Sequence, residues 1–290
     1  MLRYLETPIQ QIFDSSLAQA GVKLLIKRED LNHPFVSGNK WWKLKYNLEE
    51  AIRQNYQTVL TYGGAYSNHI FATAAAAAEL GLKSVGIIRG EQTLPMNAVL
   101  SFAKTQGMQL HHISRDAYRA KSLSDNYLKQ FGNFYGIPEG GSNLLAVKGV
   151  QEFASILDIH YDYICCAVGT GGTLSGLIEG VPEHKRVIGF PVLKGAEFLI
   201  DEIKELSEKS RHRSNWQLKF DYHFGGYGKK TPQLMKFIMD FKTNNNIPLD
   251  FIYTAKMMCG VYDLIAKGFF ERGSTILAIH TGGLQTANAS

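Results

Sequence analysis

The residues best equipped for chemistry are one lysine and three glycine-punctuated segments. Lys40 stands in Val36-Ser-Gly-Asn-Lys-Trp-Trp-Lys-Leu44, and downstream come Gly63-Gly-Ala-Tyr-Ser-Asn-His69, Gly169-Thr-Gly-Gly-Thr173 and His280-Thr-Gly-Gly283. An amine held against the rings of Trp41 and Trp42 loses basicity and becomes a usable nucleophile and base. A glycine loop between a strand and a helix aims several backbone N–H groups at one point, where an anion fits. The loop at 169 lacks the third glycine of a dinucleotide fingerprint, since Leu174 stands there, and it lacks the Gly-Lys-Ser/Thr of a Walker loop. The hydroxyls of Thr170 and Thr173, set among Gly169, Gly171 and Gly172, suit a phosphate monoester. Ser67 and Asn68 precede an Ala-rich stretch, where they cap a helix or meet a carboxylate. His69, one step inside, reads as packed or capping. Thr281, Tyr227 and Tyr253 lie near loops, though one tyrosine among fourteen is ordinarily packing. His111-His112 has no metal-spacing partner, and no His/Cys/Asp/Glu cluster has metal geometry.

These groups need elements to hold them. Short apolar runs at Thr58–Tyr62, Ser84–Arg89, Gln109–Ile113, Phe134–Ile137, Tyr163–Val168, Val187–Val192, Gln217–Phe224 and Thr275–Ile279 predict strands. Between them, Asn68–Leu80, Met96–Gln106, Ala117–Phe131, Leu144–Leu157, Leu174–Glu179, Glu197–Lys209, Gln233–Lys242 and Val261–Phe270 predict helices, several closed by glycine. Alternating strands and helices predict an α/β fold with a mostly parallel sheet covered on both faces. Ligands bind beyond the carboxyl ends of such strands, and all three glycine segments follow a predicted strand. One reactive amine and a phosphate cradle on the same side match pyridoxal phosphate, an aldehyde that a lysine can hold as a Schiff base.

The totals narrow the remainder. The chain has 290 residues, 45% of them hydrophobic and 20% charged, with a net charge of +5. That length suits one large or two ordinary packed domains with a real core, and excludes disorder. No basic stripe points to nucleic acid. Cys165, Cys166 and Cys259 are an odd count without framework spacing, so reduced core thiols in a cytoplasmic protein are expected. No apolar run approaches the ~18 residues of a membrane span, and the N-terminal residues carry no signal-peptide pattern.

The motifs together resemble those of fold-type-II pyridoxal-phosphate enzymes, in the branch of D-cysteine desulfhydrase and 1-aminocyclopropane-1-carboxylate (ACC) deaminase. The resemblance runs through Lys27-Arg-Glu-Asp-Leu31, Ser37-Gly-Asn-Lys40, Lys43-Leu44, Tyr66-Ser-Asn-His69, Gly169–Thr173, Gly226-Tyr-Gly228, Tyr253-Thr-Ala-Lys256 and His280-Thr-Gly-Gly283, in family order. It implies two open, mostly parallel twisted sheets covered by helices, as in the tryptophan synthase β-like fold. A small domain, residues 45–145, is inserted into a large cofactor-binding domain of residues 1–44 and 146–290. Lys40 becomes the Schiff-base lysine and Cα acid/base, and Asn68 the partner of the cofactor's phenolic oxygen. Gly169, Thr170, Gly171, Gly172 and Thr173 hold the phosphate. Ser67, Tyr227 and Tyr253 line the substrate site, and Thr281 faces the pyridine nitrogen. A homodimer acting on a small amino acid is expected. ACC deaminases carry a glutamate where this chain has Thr254 and a leucine where it has Thr281, so the expectation is D-cysteine conversion to pyruvate, sulfide and ammonia. ACC deamination, another fold-type-II reaction such as racemisation or dehydration, and a non-catalytic cofactor- or amino-acid-binding protein are the alternatives. Two departures stand out: Tyr66 where the family has Gln, which is expected to narrow the pocket, and Lys229-Lys230 after Gly-Tyr-Gly.

Overall fold

A computed structural model describes residues 2–120 and 124–285. Strand β1 (Ile9–Ile12), helix α1 (Ser15–Ala20) and strand β2 (Lys23–Lys27) open the chain, followed by helix α2 (Asn39–Arg53). Next come β3 (Thr58–Gly64), α3 (Asn68–Glu79), β4 (Lys83–Arg89), α4 (Ala98–Thr105), β5 (Gln109–Ile113), α5 (Arg115–Ala120), α6 (Ser124–Phe131) and β6 (Tyr135–Ile137). Helix α7 (Leu144–Ser155) leads to β7 (Tyr163–Val168), α8 (Gly172–Gly180), β8 (Arg186–Pro191), α9 (Leu199–Leu206), α10 (Lys209–His212) and β9 (Trp216–Leu218). Helices α11 (Pro232–Asn245) and α12 (Thr254–Ala266) precede β10 (Thr275–Ile279).

The strands form two sheets. Six lie in the order β1-β2-β10-β7-β8-β9, and four in the order β5-β4-β3-β6. Every pairing is parallel except β1 with β2. The expected fold class, mostly parallel sheets flanked by helices, is what the chain adopts.

The apolar strands lack polar alternation because both faces of the six-stranded sheet are covered. Ile164, Cys166, Val168, Leu277 and Ile279 pack into one core with residues of α2, α7 and α8. Their neighbours Tyr163, Cys165, Ala167, Ile276 and Ala278 pack into the other, against α11 and α12. All three cysteines are free, two of them buried.

Several predicted elements differ in extent. Ala117–Phe131 was expected as one helix; α5 and α6 cover its ends, and residues 121–123 lie outside the described residues. The expected strand Gln217–Phe224 stops at Leu218 and turns into a 3-10 turn at Phe220–Tyr222. Its partner β8 ends at Pro191, which has no N–H to offer an edge strand. Helix Glu197–Lys209 breaks after Leu206, where the Ser207 hydroxyl turns to Glu179 at 2.7 Å. Helix α12 starts seven residues before the expected Val261, because the Asp250 carboxylate accepts the N–H groups of Ile252, Tyr253 and Thr254 and nucleates its first turn. Strands β1 and β2 and helix α1 were not anticipated.

Candidate active site

The carboxyl ends of both sheets face a shared cavity of about 900 Å³. Lys40, Ser67, Asn68, Gly169, Thr170, Gly171, Gly172, Thr173, Tyr227, Tyr253 and Thr281 all line it. Residues separated by most of the chain are therefore brought to one place.

Lys40 enters from the first turn of α2. Gly38 caps that helix at φ +70, and a Cβ there would fall 2.0 Å from the Thr281 carbonyl oxygen. Only glycine allows both the left-handed backbone and the close approach. The Asn39 N–H donates to that same carbonyl at 3.3 Å, so the helix start is docked on the loop after β10. Asn39 also donates from Nδ2 to Thr173 Oγ1 at 2.8 Å and accepts from Lys40 Nζ at 3.3 Å. One asparagine thus ties the amine to the glycine loop.

Burial brings the Lys40 ammonium from its usual 10.5 down to about 8, against the opposing pull of the Asp250 carboxylate. Trp41 and Trp42 contribute differently from expectation. They pack in the core with Tyr4 and Phe153, and Trp42 Nε1 donates to Glu29 at 2.7 Å; neither lines the cavity.

Lys43, one turn along α2, is a second cavity lysine that sequence reasoning left unassigned. It is 2% exposed, and its Nζ donates to Ser142 Oγ at 2.9 Å. A Cβ on Gly172 would lie 3.1 Å from that ammonium. Burial, then the neighbouring Lys40, push its pKa well below the usual lysine value. The i, i+3 spacing of Lys40 and Lys43 puts both on one helix face and was the available signal.

The glycine loop turns at Gly171, φ +78, into the start of α8. Thr170 Oγ1 meets Ser142 Oγ at 2.5 Å, joining this loop to the segment after β6. A Cβ on Gly169 would come within 3.2 Å of the Tyr253 ring, so glycine there makes room for the tyrosine. Tyr253 and Tyr227 meet edge to face at 6.1 Å between ring centres, and burial raises both phenols above their ordinary value.

Ser67 caps α3, accepting from the Ile70 N–H at 3.3 Å. Asn68 has a buried Oδ1 with no hydrogen-bond partner among the described residues. His69 is both packed and part of the cavity wall. The Thr61 hydroxyl gives its proton to the Ile137 carbonyl at 2.9 Å and therefore accepts from His69 Nε2 at 2.8 Å. That leaves Nδ1 as an unprotonated acceptor, consistent with burial and two nearby lysines holding the ring neutral.

Two expectations are corrected. Tyr66 is 53% exposed and is not part of the cavity wall, so it does not narrow the pocket. Thr254 is fully buried and gives its hydroxyl to Asp250 Oδ1 at 2.7 Å, so it does not face the cavity. Asp250, which sequence reasoning missed, lies directly behind the loop after β10: a Cβ on Gly283 would sit 3.2 Å from its carboxyl carbon. Lys256, buried with Nζ on the Gly226 carbonyl at 2.7 Å, anchors the loop that carries Tyr227. Among the described residues no group of His, Cys, Asp and Glu is arranged for a metal ion, and no helix is long and apolar enough to cross a membrane.

The donor set fits an aldehyde bearing a phosphate. A lysine of lowered proton affinity, an asparagine amide whose buried oxygen has no partner among the described residues, and hydroxyls and a second lysine amine around a glycine turn lie within one cavity. A parallel α/β scaffold with such a site defines a cofactor-dependent enzyme with lysine at its centre. The family described as pyridoxal-phosphate dependent enzyme matches residues 1–282, and the chain belongs to it. It is 33% identical over 296 residues to a protein of Pyrococcus horikoshii named putative 1-aminocyclopropane-1-carboxylate deaminase, covering 96% of this chain and 90% of that one. It is 30% identical over 311 residues to the bifunctional D-cysteine desulfhydrase/1-aminocyclopropane-1-carboxylate deaminase of Arabidopsis thaliana, covering 98% and 77%. A crystal structure described as an ACC deaminase homologue superimposes with a TM-score of 0.85 at 32% identity, over 99% of this chain and 92% of the other.

Proposed function

We propose that this enzyme carries out β-elimination and deamination of a small amino acid in the manner of a D-cysteine desulfhydrase, turning D-cysteine and water into pyruvate, sulfide and ammonia. The observation that carries this reading is Lys40, an amine of lowered proton affinity opening onto a cavity that also holds the 169–173 glycine turn. Pyridoxal phosphate, when bound, supplies the electron sink for charge left on the substrate Cα. Lys40 holds the cofactor and, as a free amine, takes the Cα proton on Nζ. Gly169 and Gly171 present backbone N–H groups to the phosphate, Gly172 leaves room for it at the start of α8, Thr170 and Thr173 add hydroxyls, and Lys43 adds an amine donor. Asn68 turns its amide to the phenolic oxygen. Ser67 and the start of α3 receive the substrate carboxylate, where the helix end favours negative charge. Tyr227 and Tyr253 wall the substrate side and keep water out. Residues 45–145 form the small domain, the two chain ends form the large one, and the protein works as a homodimer.

The choice of D-cysteine rests on Thr281, which lines the cavity. A neutral hydroxyl beside a pyridine nitrogen favours its protonated form less than a carboxylate does. Expelling a good leaving group such as sulfide asks less of the sink than opening a cyclopropane. ACC deamination is the second reading. It is favoured by the name of the Pyrococcus relative and by the buried Asp250 carboxylate behind Gly283.

The deciding experiment measures oxo-acid release by the cofactor-loaded protein. Pyruvate from D-cysteine, with no 2-oxobutyrate from ACC, is expected; 2-oxobutyrate would transfer the assignment to the second reading. Lys40→Ala should abolish turnover, and retention of most of it would overturn the role given to Lys40.

A further inference from the structure

Arg89 is a cation in the cavity wall that neither cofactor nor catalysis uses. It ends β4, directly across from Gly64 at the end of β3. Gly64 has no side chain, and a Cβ there would stand 3.6 Å from Arg89 Nη2, so the guanidinium lies against that strand end. The buried Tyr118 ring supports it from below at 5.6 Å. Glu139 also lines the cavity, yet among the described residues Arg89 makes no ion pair within 4 Å. The Ser67 N–H donates to the Gly64 carbonyl at 3.0 Å, so Arg89 stands beside the turn that carries Ser67, on the substrate side of the cavity.

Lys40 and Lys43 already serve the aldehyde and phosphate, and the start of α3 serves the substrate carboxylate. Arg89, exposed to the solvent of the cavity mouth and lining its wall, is a further cation in excess of those needs and free to meet a ligand. A guanidinium offers paired donors that match a carboxylate, sulfonate or phosphate. We infer that Arg89 selects amino acids whose β-substituent is itself an anion, holding that group against Tyr118 and Gly64.

This rests on the elimination reading above and names its substrate class. For O-phospho-D-serine, the Cα proton passes to Lys40 Nζ and the Cβ–O bond breaks with its electron pair leaving on phosphate. The 2-aminoacrylate that remains tautomerises to its imine, and water releases ammonia and pyruvate.

The test uses cofactor-loaded protein, its Arg89→Gln and Arg89→Lys variants, and two readouts. The first is binding of D-aspartate against D-alanine, read from the cofactor's absorbance. The second is pyruvate release from O-phospho-D-serine against D-cysteine. The wild type should bind D-aspartate at least tenfold more tightly than D-alanine. Arg89→Gln should remove that preference and cut kcat/KM for O-phospho-D-serine at least tenfold, with D-cysteine changed less than threefold; Arg89→Lys should restore part of both. Equal affinity for the two binding probes in the wild type overturns the inference. An equal loss for every substrate in Arg89→Gln also overturns it, because Arg89 would then hold the α-carboxylate. If binding discriminates but no substrate yields oxo acid, the selectivity of Arg89 stands and the elimination reading falls. If D-cysteine turns over and binding does not discriminate, the reverse holds.

Discussion

At Lys40 two opposed effects set the proton affinity: burial, which disfavours the ammonium, and the Asp250 carboxylate, which favours it. Burial wins, and the folded value falls to about 8 against 10.5 for a free lysine. A lysine depressed in this way binds fewer protons folded than unfolded, so it costs stability in full below about 8, and the cost fades as pH rises from 8 to 10.5. The cofactor-free protein should therefore lose stability relative to Lys40→Met at pH 7.5 and close that gap by pH 10.5, read by denaturant unfolding. Its rate of pyridoxal phosphate uptake should rise through pH 8 and level off above. A gap that stays constant with pH would mean that Lys40 titrates as an exposed lysine. Lys40 and the 169–173 loop were legible in the sequence because glycine and lysine types mark such loops directly. Lys43, Asp250 and Arg89 were not. Each looks like an ordinary helix, cap or strand-end charge until folding buries Lys43 and Asp250 and brings Arg89 to the cavity wall. The tryptophans misled for the converse reason: chain neighbours of Lys40 on a helix point to other faces.

Elements place these residues through close backbone contacts. Helix α2 crosses α7 where Gly149 meets the Trp42 carbonyl, and a Cβ at 149 would lie 2.0 Å from that oxygen. Gly149→Ala should force the helices apart and cost about 1–3 kcal/mol, the usual range for overpacking. Because α2 carries Lys40 and Lys43, cofactor affinity should fall with stability. Gly136→Ala, where nothing lies within 4 Å of the new methyl, is the matched control and should leave both unchanged. Equal unfolding midpoints for the two variants would refute the account. The wholly buried strands β7 and β10 were predicted to the residue, since a run buried on both faces leaves a continuous signal. Strands β1 and β9 are edge strands of four and three residues, and β2 pairs with β10 at the other end of the sequence, so the local pattern could not announce or bound them.

For the whole molecule, the cavity is walled by the ends of two separate sheets, joined across it by contacts such as Ser142 with Thr170 and Lys43 with Ser142. A ligand filling it touches both sides. Loading with pyridoxal phosphate should slow backbone hydrogen exchange around 64–70 and 139–143 as well as 169–173; protection confined to the last segment would show that the two sheets act independently. The pairing of β2 with β10 carries a consequence for biosynthesis. Chains are made from the N-terminus, and the four-stranded sheet lies wholly within residues 58–137. It can close while β1 and β2 still wait with an open edge. Until residues 275–283 leave the ribosome, Gly38 has no Thr281 carbonyl beneath it. The nascent chain therefore carries Lys40 as an unremarkable solvated amine, and its reactivity toward aldehydes arrives only once residues 275–283 have been made.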